Sequence, residues 1–314
     1  MPSYFAILSA TLPVFLLMGL GFLFQRRQWL SEETEMGVMR LSLHLLFPCL
    51  VLTLIPGNPA LATISSGAWA IGLGFALVVT GFGVSWLVAQ ALRMRRGEGL
   101  RTFTITAGIQ NYGFLTLPIA VQLFPDNEGP AGLVFVHGIG VEIAMWTFGL
   151  AILSGKMGLR SLVNTPFIAV LTALLLNYTG LYHYIPGVVQ TMMEMLGRCS
   201  VPMAVFIIGA TMGRFSREGI FTDMWRVACG SVVARLGLMA ILILVVAKFA
   251  PIDPDLKRLL VIQAGMPSAI FPIVLARLYG GTPLVAVQVV LATSLVSVAT
   301  VPLVLAWGLG WVAP

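Results

Sequence analysis

Apolar residues fall in long unbroken stretches along this chain, and polar residues gather in short clusters between them. The stretches cover 5–25, 36–55, 68–92, 101–123, 131–154, 163–182, 188–213, 226–248, 257–278 and 284–311. Each is close to the roughly 20 residues that a helix needs to cross the hydrocarbon core. A β-barrel is disfavoured, because its strands alternate apolar and polar positions over about ten residues. The pattern predicts an all-α membrane protein of ten transmembrane helices. The first stretch is longer than a signal-peptide core and has no basic start, so it reads as the first span.

Composition agrees with this picture. Of 314 residues, 58% are hydrophobic and 10% charged, where a soluble domain carries roughly 25% charged residues. Such a chain cannot cover a water-facing surface, and lipid must be its main solvent. Ten spans use nearly the whole length and leave no room for a soluble domain. The net charge of +6 does not imply nucleic acid, because the basic residues sit in the short connections. If the first connection is placed inside, the inside connections hold twelve Lys and Arg: Arg26, Arg27, Arg93, Arg95, Arg96, Arg101, Lys156, Arg160, Arg214, Arg217, Arg226 and Arg277. The outside connections hold three, Lys248, Lys257 and Arg258. That is the bias of the positive-inside rule, and it places both termini outside. Cys49, Cys199 and Cys229 lie in apolar segments and read as small buried hydrophobes. The three histidines are scattered, so neither a metal site nor a cofactor is expected.

Two halves echo each other. Pro13 and Pro166 open long apolar stretches and are 153 residues apart. Pro48 and Pro202 are 154 apart, as are Pro118 and Pro272. Five spans per half is an odd number, so the second half is expected to be inverted relative to the first, an arrangement common in transporters.

Spans four and nine carry the polar and helix-breaking residues. Span four reads Ala107-Gly108-Ile109-Gln110-Asn111-Tyr112-Gly113, and span nine Ala264-Gly265-Met266-Pro267-Ser268. Glycine costs a helix about 1 kcal/mol relative to alanine and proline about 3. In a membrane, such breaks are tolerated where backbone lines a cavity or is buried in protein. Half-helix N-termini at a break attract anions. Charges also lie inside spans. Glu194 and Arg198 are spaced to pair on one helix face. Glu142 and Arg235 sit near the middles of spans five and eight, either as a pair or as separate coupling and anion-holding groups. His137 reads as a packed polar residue or a proton relay. Arg40, four residues before His44, is placed to snorkel. Gly209 and Gly213 permit close helix packing.

The stretches LPVFLLMGLGFLFQRRQWLS, LHLLFPCLVLTLI, IQNYGFLTLPIAVQLF, NTPFIAVLTALLLNYTGL, VPMAVFIIGATMG and AGMPSAIFPIVLARLYGGTP resemble, in order and spacing, the auxin efflux carrier family. That family is a branch of the superfamily that also holds the bile-acid/sodium symporters, and the resemblance covers essentially all ten spans. It implies a scaffold of spans 1, 2, 6 and 7 and a moving transport domain of spans 3–5 and 8–10. The chain then divides into 1–60 and 155–218 for the scaffold, and 61–154 and 219–314 for the transport domain. It implies broken spans four and nine crossing at the substrate site, with Gln110, Asn111, Tyr112, Gly113, Pro267, Ser268 and Ala269 as candidate contacts. Plant members carry proline where this chain has Gln110, and an acid and a lysine in span three, where this chain has no ionisable residue before Arg93. The bile-acid branch uses a span-nine glutamate for sodium, and span nine here has none.

The expectation is a secondary transporter of small organic anions (malate, malonate or auxin-like acids) working by alternating access. It is expected in the plasma membrane, the inner membrane of a bacterium, with the proton as candidate coupling ion and the scaffold helices as candidate homodimer face. The alternative is a sodium-coupled symporter of the bile-acid type. No Walker motif is present to couple ATP directly, and no nucleophile–base or metal constellation is spaced for an intramembrane enzyme.

Overall fold

A computed structural model of the chain describes residues 4–154, 165–215 and 225–312. Among these the regular structure is helical, apart from one isolated β-bridge. The helices are α1 (Tyr4–Arg26), α2 (Glu32–Leu54), α3 (Ile64–Ala91), α4 (Leu100–Ala107), α5 (Thr116–Leu123) and α6 (Gly129–Ser154). They continue with α7 (Thr165–Thr179), α8 (Gly187–Phe215), α9 (Trp225–Phe249), α10 (Pro254–Gly265), α11 (Phe271–Leu278) and α12 (Pro283–Val312). Seven of them, α1, α2, α3, α6, α8, α9 and α12, are long and apolar enough to cross a membrane, and α7 is a shorter apolar helix. The apolar stretches 101–123 and 257–278 are each divided into two short helices, α4 with α5 and α10 with α11.

Local chemistry accounts for the helix ends. Ser31 accepts a hydrogen bond from Thr34 N at the start of α2, and Thr63 does the same for Ser66 N at the start of α3. Asp253 caps α10 through Asp255 N, with Pro254 at the first helical position, where its missing N–H costs nothing. Gly99 holds φ at 104° between the α3–α4 connection and α4, in the left-handed region that glycine reaches without strain. Wider π-turns interrupt α2 at Ser42–Leu46, α6 at Met145–Gly149 and α9 at Val233–Met239.

Two helix pairs approach at backbone contact. A Cβ on Gly21 would overlap the Phe206 carbonyl of α8, and one on Gly209 would overlap the Met18 carbonyl of α1. A Cβ on Gly74 would overlap the His137 carbonyl of α6, and one on Gly140 the Ile71 carbonyl of α3. Lipid offers no hydrophobic drive for helix association, so close packing at small residues supplies the attraction. Gly209 and Gly213 thus pack α8 on α1 within the chain; a Cβ on Gly213 would lie 2.7 Å from the Phe22 carbonyl oxygen. Large apolar side chains such as Leu16, Leu87, Ile241 and Leu295 face outward, as a lipid solvent requires.

Polar ties join the pieces at both ends. Asn177 of α7 accepts from Gly57 N and donates to the Leu61 carbonyl, and Asn58 donates to the Glu128 carbonyl ahead of α6. Arg214 is not a free connection charge. It pairs with Glu32 and, at 3.4 Å, with the fully buried Glu35, tying α8 to α2. Glu194 and Arg198 pair at 2.5 Å, as their spacing predicts. His44 Nδ1 lies 2.7 Å from Thr165 Oγ1, while Arg40 is exposed. Of the cysteines, Cys49 is buried, but Cys199 and Cys229 are exposed, because an apolar stretch in lipid has two faces and hydropathy does not say which turns outward. Lys156, Arg160 and Arg217, and the domain boundaries at 154/155 and 218/219, lie at or beyond the edges of the described residues.

Candidate functional site

Helix α4 ends at Ala107 and α10 ends at Gly265. Each break has its own cause. Pro267 has no N–H to continue α10, and its ring disfavours helical backbone at the residue before it. Met266 is accordingly extended, with ψ at 140°. Gly108 lies so close to α3 that a Cβ on it would fall 2.8 Å from the Gly81 carbonyl oxygen. The released strands then pair with each other. Asn111 N donates to the Pro267 carbonyl at 2.7 Å and Ala269 N to the Ile109 carbonyl at 3.0 Å, making an antiparallel bridge between Gln110 and Ser268. Backbone groups that the broken helices leave free are satisfied in this way. Short helices resume on the far side, so α5 and α11 both present their N-termini to this crossing.

The side chains at the crossing are almost all buried. Gln110 Nε2 donates to Gln263 Oε1 at 2.9 Å, and Gln263 Nε2 lies 3.3 Å from His137 Nδ1. Ser268 N donates to Thr293 Oγ1 of α12 at 3.2 Å. Asn111 Oδ1 accepts from Leu115 N at 3.2 Å, and the Asn111 carbonyl accepts from Thr116 Oγ1 at 2.8 Å. Asn111 therefore caps the backbone entering α5, one residue ahead of its first helical residue, and its Nδ2 makes no hydrogen bond among the described residues. Around the crossing, four buried polar atoms are without a partner among the described residues: Gln110 Oε1, His137 Nε2, Ser268 Oγ and Arg235 Nη1. All four residues have no exposed surface. Unpaired buried polar groups are costly, and this many around one crossing is a stored capacity for hydrogen bonding.

Glu142 and Arg235 are not a pair. Glu142 accepts from the Tyr112 hydroxyl through Oε1 and from Trp146 Nε1 at 2.9 Å through Oε2. Arg235 donates through Nε to the Met266 carbonyl at 3.0 Å and through Nη2 to the Gln263 carbonyl at 2.7 Å. The carboxylate thus holds the unwound stretch of span four, and the guanidinium holds that of span nine. Of the residues singled out from sequence, Gln110, Asn111, Pro267, Ser268 and Ala269 meet at the backbone bridge, and Tyr112 N donates to the Gln110 carbonyl at 2.8 Å. Gly113 lies beside them with open space around its Cα. His137 reaches the crossing through Gln263. Sequence reasoning did not single out Gln263, Thr293 or Trp146. Gln263 carried a signal, since it follows Gln110 by 153 residues, the separation of Pro13 and Pro166. Among the described residues no three His, Cys, Asp or Glu side chains are grouped to hold a metal ion.

The sequence profile described as "Membrane transport protein" matches the chain in two stretches, residues 6–159 and 152–305. A relative named as an uncharacterized transporter, from Methanocaldococcus jannaschii, is 22% identical over 205 residues, which is 62% of this chain. The match spans 64% of that relative's length.

Proposed function

We propose, from the premise that the chain belongs to the membrane transport protein family, that of the auxin efflux carriers, that it is a secondary transporter of small organic anions. The two matched stretches support a duplicated architecture. Seven long helices, the shorter α7 and the two broken pairs support a reading of ten spans. On this reading α1, α2, α7 and α8 form the scaffold, and the remaining helices form the body that moves. The substrate binds where the broken helices cross, at Gln110, Asn111, Tyr112, Gly113, Pro267, Ser268 and Ala269.

The observation that carries the reading is the crossing itself. Two half-helices begin a few residues past the bridge, a buried guanidinium holds the span-nine strand, and polar atoms of Gln110, Ser268, His137 and Arg235 are left unpaired around it. Half-helix N-termini favour a carboxylate through free N–H groups and the dipole. The Asn111 Nδ2 group adds a donor. Glu142 supplies the candidate coupling group: a proton on it would leave the positive charge of Arg235 to balance an incoming anion. Binding raises apparent stability by mass action. A screen of the purified protein against mono- and dicarboxylates should therefore find acids that raise its unfolding temperature in proportion to the logarithm of their concentration. A panel of acids without any such shift would overturn the anion reading.

A further inference from the structure

Arg235 has no exposed surface and, among the described residues, takes part in no ion pair. A buried cation ordinarily demands a carboxylate. Here the partners are two backbone carbonyls, of Gln263 and Met266, at the C-terminal end of the broken helix α10. The last carbonyls of a helix have no partner within it and carry the negative end of its dipole. Freed carbonyls at a half-helix C-terminus are the donors that hold a sodium ion in discontinuous-helix transporters. In this chain a guanidinium from the neighbouring helix already meets them.

Two features of the surroundings fit that role. The segment carrying Arg235 is the seven-residue π-turn Val233–Met239, and such turns re-aim side chains that a regular helix would direct elsewhere. The first half of the chain also solves the same problem differently. On the 154-residue offset that relates Pro48 to Pro202 and Pro118 to Pro272, the counterpart of Arg235 is Gly81. A Cβ on Gly81 would overlap the Gly108 carbonyl at the end of α4. One broken helix end is therefore closed by direct backbone packing, and the other by an inserted cation.

We propose that Arg235 is a built-in cation that closes the carbonyl end of α10 where a metal ion would otherwise be coordinated, so that the crossing holds together without sodium. Arg235 is a positioning residue in this account: it acts on the span-nine strand and through it on the crossing. Its effect on transport rests on the proposed function above. Its effect on stability does not, and is read without any substrate.

The test compares the purified wild type with Arg235→Ala, Arg235→Lys and Arg235→Met by thermal unfolding. Arg235→Ala should unfold roughly 3 °C or more below wild type. Guanidinium chloride at about 5 mM, far below denaturing strength, should raise the Arg235→Ala midpoint and leave the wild type's unchanged. Urea at the same concentration has nearly the same shape and no charge, and should rescue nothing. Should the alanine variant not fold, Arg235→Lys should still be more stable than Arg235→Met, which fills similar volume without charge. In the wild type, replacing choline by sodium at about 150 mM, constant in ionic strength, should not move the midpoint. Equal rescue by urea, a methionine variant as stable as the lysine one, or sodium-dependent stabilisation of the wild type would each overturn the proposal.

Discussion

The side chains of Gln110 and Gln263 meet at 2.9 Å across the point where the two broken helices cross, with neither exposed. They come from opposite halves of the chain and stand 153 residues apart. This buried bond ties the span-four strand to the last turn of α10, because the Gln110 amide must turn its donor side toward the Gln263 oxygen. Removing one partner strands the other. Gln110→Leu and Gln263→Leu should each cost about 1–3 kcal/mol. The double variant should cost less than their sum, with a coupling of about 1 kcal/mol. Thermal and denaturant unfolding of the four proteins measures the cycle, and strict additivity would mean that the bond contributes nothing.

Asn111 has two separable roles. Its Oδ1 caps α5 through Leu115 N, and its Nδ2 is proposed to meet the substrate. Asn111→Asp keeps an acceptor for the cap and sets a negative charge beside an anion. Asn111→Ala loses both. The aspartate variant should keep near-wild-type stability and lose organic-anion binding, while the alanine variant should lose roughly 1 kcal/mol of stability as well. A folded Asn111→Asp protein of unchanged anion affinity would leave Asn111 as a cap alone.

Glu142 is the group through which a proton would act. Its carboxylate accepts from Tyr112 and Trp146, so a proton on it replaces one acceptor by a donor and loosens the hold on the span-four strand. Glu142→Gln fixes the neutral state. Its counterflow should persist but become flat across about pH 5 to 8, and Tyr112→Phe should shift the wild-type profile without flattening it. A Glu142→Gln profile that follows the wild type would remove Glu142 from coupling.

Helix packing gives a contrast within a single helix pair. A Cβ on Gly209 would overlap the backbone of Met18, whereas one on Gly19 meets nothing within 4 Å. Backbone cannot yield as a side chain can, so Gly209→Val should cost about 3 kcal/mol or more, or prevent folding. Gly19→Val should stay within about 0.5 kcal/mol of wild type. Expression level and unfolding temperature distinguish the two.

Much of this arrangement was legible in the sequence because lipid imposes long apolar runs with little ambiguity. The stretch expected at 68–92 is the helix Ile64–Ala91, and that at 226–248 is Trp225–Phe249. The two breaks were legible too, since Gly108, Gly265 and Pro267 disfavour helix whatever surrounds them. Side-chain partnerships were not. Glu142 has a partner four residues on in its own helix, Trp146, but an indole N–H does not stand out in sequence among aromatic residues that read as packing. The pairing of Glu142 with Arg235 failed because each found partners on a strand of the crossing, and sequence does not tell where unwound backbone leaves carbonyls free. Gln263 stands inside the apolar stretch 257–278, where a lone amide does not reveal its partner across the crossing.

We propose the membrane orientation that the charge bias of the connections favours, with both termini outside. Reporter domains fused at residue 1 and residue 314 should both report the outside, and either one reporting the cytoplasm would reverse or break the proposed topology.

Counterflow in proteoliposomes tests the central claim most directly. Vesicles holding the purified protein are loaded with one unlabelled mono- or dicarboxylate and diluted into a trace of the same acid carrying label, without ATP. For at least one acid that also raises the unfolding temperature, the label should accumulate transiently above its external concentration, and Asn111→Asp should abolish that overshoot. An overshoot absent for every stabilising acid, or undiminished in Asn111→Asp, would contradict an anion carrier whose site lies at the crossing of the two broken helices.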